Sequence, residues 1–393
     1  MKKPQVIYIA GEQQHVGKTV ICLGLIAQLR KYVDAADIGY IKPVGQELRK
    51  LPDGTRVDKD AFIIQKFCEF TDMNLKMVSP VRIASGVTKD YLEQMGPKSI
   101  TDQYKRDILE AYESMSSKRV IIAEGTGHPG VGGVVRISNA AVSRLLNARV
   151  VYLAGGGLGR ALDEMDVKLS FFRQGNCLVD GVIFNKVLPN KRDQMKTLIT
   201  EKFLNHHFDG FGGLLNIFGF LPSVQNLNHP SMALIRETCF PFAEAVGDPQ
   251  QDSWKIPCSK TRLISLTNEY YNPGLHQDEG QELILSGAGS INRLRKILHY
   301  NATIPPERRI AGIVLTCAQE VKRSRVQRQM IERSGIPTLF VTEDTTQTDA
   351  MLYKCFSNTK LQLYDIWKHE QILKLFEQYF DSEKFVRVFG LKD

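Results

Sequence analysis

The sequence lacks the marks of several large protein classes. Its seven cysteines (Cys22, Cys68, Cys177, Cys239, Cys258, Cys317, Cys355) are odd in number and scattered, with no Cys-X-X-Cys pair. Reduced thiols fit that pattern better than a disulfide framework. His206-His207 has no acid or cysteine at ligand spacing and reads as surface. No apolar run approaches the roughly 18 to 20 residues of a membrane span. Met1-Lys2-Lys3-Pro4 leads straight into an apolar strand without a signal-peptide profile, so a cytoplasmic protein free of the membrane is expected. There is also no basic block. The net charge is +8, yet lysine and arginine are spread along the chain among acids, so nucleic acid is not an expected partner. One local cluster, Lys322, Arg323, Arg325 and Arg328, reads as a solvated helix face.

What is present is enough for two cores: 393 residues, 43% hydrophobic and 24% charged. The informative stretch comes first. A β-branched run, Val6 to Ala10, enters Gly11-Glu12-Gln13-Gln14-His15-Val16-Gly17-Lys18-Thr19 and then a helix expected over residues 18–31. Strand, glycine loop and helix in that order make a phosphate-binding P-loop. The glycines let backbone N–H groups curl round a phosphate, the helix start adds its positive end, and Lys18 reaches the outer phosphates. Thr19 offers its hydroxyl to Mg²⁺. The expected cofactor-binding set is Gly11, Gln14, His15, Val16, Gly17, Lys18, Thr19 and Val20. His15 is read as a neutral hydrogen-bonding residue that shapes the loop. Five residues separate the two glycines rather than the usual four, and no second lysine lies between them.

Strand and helix patterns then alternate. Strands are expected at residues 37–41, 119–123, 148–153, 179–186 and 215–220, with helices at 61–70, 102–116, 160–173 and 192–205. Near-continuous apolar strands of this kind predict an α/β fold, a P-loop NTPase-type parallel sheet with helices on both faces and ligands at the carboxyl ends. Glu124 follows Val120-Ile121-Ile122-Ala123 and precedes a glycine-rich loop, the place where such a protein sets a metal-binding carboxylate.

Gly11 to Thr19, Lys42-Pro43-Val44, Asp60-Ala61, Glu124 to Gly127, Gly181 to Asn185 and Gly219 to Pro222, in this order, resemble dethiobiotin synthetase and its relatives over residues 1–225. The resemblance implies ATP and Mg²⁺ as cofactors. It implies a metal site of Thr19, Asp60 and Glu124, catalytic roles for Lys18 and Lys42 on the phosphate chain, and adenine recognition by Asn185. Asp58 is the alternative to Asp60, which is preferred because it directly precedes a helix. The family's carboxylating enzymes carry an acid before the loop valine and a serine after Lys-Pro-Val. Here His15 and Gly45-Gln46 stand in those places, so the nucleotide side is kept while the substrate side is changed.

Composition shifts near Pro222. Residues 231–246 read as helix; strands are expected at 262–266, 282–285, 310–315 and 338–341, helices at 290–299 and 321–334, and a long helix from 361 to 380. Residues 226–393 are thus expected to form a second, smaller α/β domain. His229-Pro230-Ser231, Gly312 to Leu315, residues 336–345 and Asp365 to Phe380 resemble a DRTGG domain, which follows a dethiobiotin-synthetase-like domain in long bacterial phosphotransacetylases. In those enzymes the acetyltransferase domain comes later, so acetyl transfer is not expected here. Cys317 is expected to be a buried core thiol rather than a nucleophile. Two functions follow from the resemblance: a Mg-ATP-binding regulatory module, the preferred one, and an ATP-dependent carbon–nitrogen ligase. A homodimer is implied, with a protein partner for the second domain as a further expectation.

Overall fold

The computed structural model describes residues 3–51, 53–83, 86–208, 214–264, 280–318, 325–357 and 359–392. The chain divides into two units, one of Met1–Ser223 with Ile366–Asp393, the other of Val224–Asp365.

The first unit is built on six parallel strands: β1 (Gln5–Gly11), β2 (Ile38–Ile41), β3 (Val120–Glu124), β4 (Arg149–Ala154), β5 (Val179–Val187) and β6 (Asn216–Pro222), in the order β6-β5-β4-β1-β3-β2. β1, β3 and β4 are buried along almost their whole length, as a sheet covered on both faces requires. Helices α1 (Lys18–Leu29), α2 (Lys59–Phe67), α3 (Lys98–Glu113) and α4 (Leu158–Gln174) connect the strands. The helix expected over 192–205 is two short ones, Arg192–Leu198 and Glu201–His207, because the Thr200 side chain accepts from the Phe203 N–H and starts a new helix.

The chain end corrects the expected division. The last helix belongs to the first unit, not the second, and it is two helices, α9 (Ile366–Tyr379) and α10 (Ser382–Phe389). α1 is apolar nearly all round, with Ile21, Cys22, Leu23, Leu25, Ile26 and Leu29 buried, so it needs cover on the side away from the sheet. α9 supplies it. The two backbones approach so closely that a Cβ on Gly24 would lie 2.0 Å from the Phe376 ring. α10 continues along β6, where Phe385 and Phe389 pack on Phe218. Arg149 fastens it further: its guanidinium pairs with Asp180, donates to Val388 O at 3.0 Å and lies 4.4 Å from the centre of the Phe389 ring.

The second unit has a five-stranded sheet of β7 (Glu244–Val246), β8 (Thr261–Ile264), β9 (Leu283–Gly287), β10 (Gly312–Thr316) and β11 (Thr338–Phe340), in the order β7-β11-β10-β9-β8. Among the described strands only β7 runs antiparallel. Alternation along β9 divides the core. Leu283 and Leu285 face α5 (Met232–Thr238) and α8 (Thr345–Ser357); Ile284 faces α6 (Ile291–Thr303) and α7 (Arg325–Ser334). The helix expected over 231–246 stops at Thr238, since Pro241 cannot continue it, and the chain returns as β7. Ser265, Leu266 and residues 321–324, including Lys322 and Arg323, lie outside the described residues. Cys317 is half-buried, with φ 56° at the end of β10, rather than a core thiol.

Candidate functional site

β1 delivers the loop to the carboxyl edge of the sheet, with Ile9 in register with Glu124 on one side and Gly11 with Leu153 on the other. Gly17 closes the loop at φ 100°, a left-handed conformation that favours glycine, and a Cβ there would lie 2.6 Å from Asn185 Nδ2. His15 also takes a left-handed φ of 63° and is exposed, as are Gln13 and Gln14. Val16 is buried beneath the loop and Val20 is half-buried on α1.

Neighbouring strands hold the loop. Asn185 at the end of β5 donates from Nδ2 to Val16 O at 2.8 Å, and Lys186 Nζ donates to His15 O at 2.9 Å. Glu12 is buried, and its Oε2 accepts from the Gly155 N–H at 2.9 Å just beyond β4. Glu12 and Lys186 were not among the expected site residues. The signal for Glu12 was a charged residue set directly after a fully apolar strand.

Lys18 starts α1. Its ammonium donates to Gln13 O at 3.1 Å and to Gly127 O at 2.9 Å, so it bridges the P-loop and the loop after β3. Burial pushes it down to about 8, and Lys42 repels it further.

Thr19, Lys42, Asp60 and Glu124 meet beside it. Thr19 Oγ1 donates to Glu124 Oε1 at 2.8 Å, and Lys42 Nζ lies 2.7 Å from both Glu124 Oε1 and Asp60 Oδ2. Tyr40, one pleat before Lys42, donates to Glu124 Oε2 at 2.9 Å and so fixes the second oxygen, a role the sequence did not suggest. Burial disfavours the Lys42 ammonium, but Asp60 and Glu124 outweigh it and hold the group protonated well above the ordinary lysine range. Burial likewise works against charge on Asp60, where Lys42 and Thr19 prevail and keep the carboxyl at about 2. At Glu124 burial prevails and the carboxyl lies above its usual range.

Asp58 has a different task. Its carboxylate accepts from the Gln46, Glu47 and Asp60 N–H groups at 2.9, 3.2 and 3.0 Å, capping α2 and pinning the strand that follows Lys42. His128 is also structural, its Nδ1 accepting from the Gly130 N–H at 3.2 Å.

Among the described residues no group of three or more His, Cys, Asp or Glu side chains could hold a metal ion. A hydroxyl and two carboxylates are nonetheless hard oxygen donors, and a cation that retains waters and takes phosphate oxygens needs no more from the protein. The residues present therefore fit Mg²⁺ arriving with a phosphate chain.

A parallel sheet whose first strand feeds a Gly-Lys-Thr loop, with an acid ending the neighbouring strand, defines a P-loop NTPase-type domain. The chain belongs to the family described as an AAA domain (AAA_26), whose model matches residues 5–231. Over 202 residues, 50% of the chain, it is 20% identical to a phosphate acetyltransferase of Synechocystis sp., and the match spans 27% of that relative. Similar solved structures include the MinD cell division protein of Aquifex aeolicus, at 10% identity and TM-score 0.33, covering 57% of this chain and 84% of that one. A signal recognition particle 54 kDa protein from Aeropyrum pernix K1 in complex with GDP is another, at 13% identity and TM-score 0.27, covering 47% and 35%. No helix among the described residues is long and apolar enough to cross a membrane.

Proposed function

We propose that the first unit binds Mg-ATP at the loop 11–20 and that the chain acts as a nucleotide-responsive regulatory module. The observation that carries this reading is the placement of Lys18 between Gln13 O and Gly127 O. A phosphate chain in the loop competes for that ammonium and draws it from Gly127, so occupancy alters the loop after β3. A module that reports nucleotide needs such a difference between empty and filled states. Thr19, Asp60 and Glu124 would hold Mg²⁺, which supplies charge neutralisation to the phosphates; Lys18 and Lys42 would add their charges on the same side. The likeness over half the chain to a phosphate acetyltransferase supports a module that serves such an enzyme or its reaction, with the DRTGG-like second unit as the surface toward a protein partner.

The test is ADP release by the purified protein with Mg-ATP and bicarbonate, with and without 7,8-diaminopelargonate, beside a direct ATP titration. Binding without diamine-stimulated turnover is expected. Stimulated turnover that vanishes in Lys42→Ala would make the protein a ligase instead.

A further inference from the structure

The second unit carries a feature unrelated to the nucleotide site. Cys239 caps the carboxyl end of α5, and Cys355 lies on α8, which packs against it. The hydroxyl of Thr238 lies 3.6 Å from the sulfur of Cys239 and 3.6 Å from that of Cys355, while its own proton is available to Leu234 O at 2.8 Å. Cys239 Sγ also lies 3.7 Å from Met351 O, one turn before Cys355 on the same face of α8. Two thiols from different helices therefore converge on one hydroxyl. Cys239 is half-buried and Cys355 is 9% exposed, so an oxidant in solution meets Cys239 first.

We propose that Cys239 and Cys355 form an oxidation site for hydroperoxides that closes to a reversible disulfide between α5 and α8. In the first step the Cys239 thiolate attacks a peroxide oxygen; the O–O bond breaks, a sulfenic acid forms and the departing oxygen leaves after protonation, as water from hydrogen peroxide or as an alcohol from an organic hydroperoxide. In the second, Cys355 sulfur attacks the sulfenic sulfur, the S–O bond breaks and a second water leaves with the Cys355 proton. Overall two thiols lose two electrons and one hydrogen peroxide becomes two waters. The asymmetry of the pair agrees with this order. The neighbouring Cys355 draws the Cys239 thiol down to about 7, while bonding to Cys239 and burial push Cys355 up.

The full-length protein, reduced and then exposed to stoichiometric hydrogen peroxide, tests this by alkylation and peptide mapping. A Cys239–Cys355 cross-link that dithiothreitol reverses is expected, formed faster than glutathione oxidises under the same conditions. Cys355→Ser should stop at a sulfenic acid on Cys239 that dimedone traps, and Cys239→Ser should leave Cys355 open to alkylation after unfolding. Because serine is close in size to cysteine, melting temperatures of the reduced variants serve as the control on folding. The proposal is overturned if both residues remain alkylatable while glutathione is consumed, or if Cys239 pairs with another cysteine.

Discussion

The Lys42 ammonium lies 2.7 Å from Glu124 Oε1, with the two side chains only 5% and 1% exposed. An ion pair this deep is held by mutual compensation, since each charge alone is costly in the interior. Lys42→Met should therefore destabilise the first unit by about 3–5 kcal/mol, because Glu124 and the adjacent Asp60 are left without their cation. Urea unfolding of the variant at unchanged slope checks this, and a stability equal to wild type would show the pair to be dispensable.

The chain end makes a second prediction. Phe376 is fully buried between α9 and α1, and Phe376→Ala should cost about 3–5 kcal/mol. Removal of residues 366–393 exposes the apolar outer face of α1 and should leave the first unit readily digested by trypsin. A truncated chain that resists proteolysis like the full one would contradict the division described here.

The P-loop and the positions of the first six strands along the chain were legible in the sequence because they are local: a β-branched run, a glycine loop and a lysine declare themselves within fifteen residues. The place of Glu124 at the end of β3 was legible for the same reason. The role of Asp58 was not, because two acids two residues apart differ only in what the folded backbone offers them, three N–H groups for Asp58 and a lysine for Asp60. The return of α9 and α10 to the first unit was hidden by distance along the chain. Its one signal was the all-round apolarity of α1, which demands a second layer without saying where in the sequence the layer comes from.

Asn185 is expected to act on the loop through Val16 O. Asn185→Ala should weaken ATP binding by about fivefold, the worth of one such bond at roughly 1 kcal/mol, with little change in melting temperature. Calorimetry and a thermal scan separate the two effects. A large loss of stability with unchanged affinity would place Asn185 in the core rather than in the site.

The low pKa of Lys18 gives a pH dependence with a definite sign. Folded Lys18 loses its proton near 8 and the unfolded residue near 10.5, so the unfolded state binds more protons across that window and this residue's contribution to stability rises with pH between them. Nucleotide affinity should move the opposite way. Phosphate binding favours the ammonium, so binding takes up a proton above pH 8 and weakens by up to about tenfold per pH unit beyond it. Titrations in buffers of different ionisation enthalpy measure the uptake. Affinity that stays flat to pH 9.5, with no proton uptake, would remove Lys18 from the phosphates.

The central claim is that the loop 11–20 holds Mg-ATP, and the most direct test is calorimetric titration of ATP, with and without Mg²⁺, into wild type and Lys18→Ala. The account predicts one site per chain in the wild type, strengthened by Mg²⁺, and no detectable binding in the variant at an unchanged melting temperature. Wild-type affinity in a folded Lys18→Ala protein would contradict it.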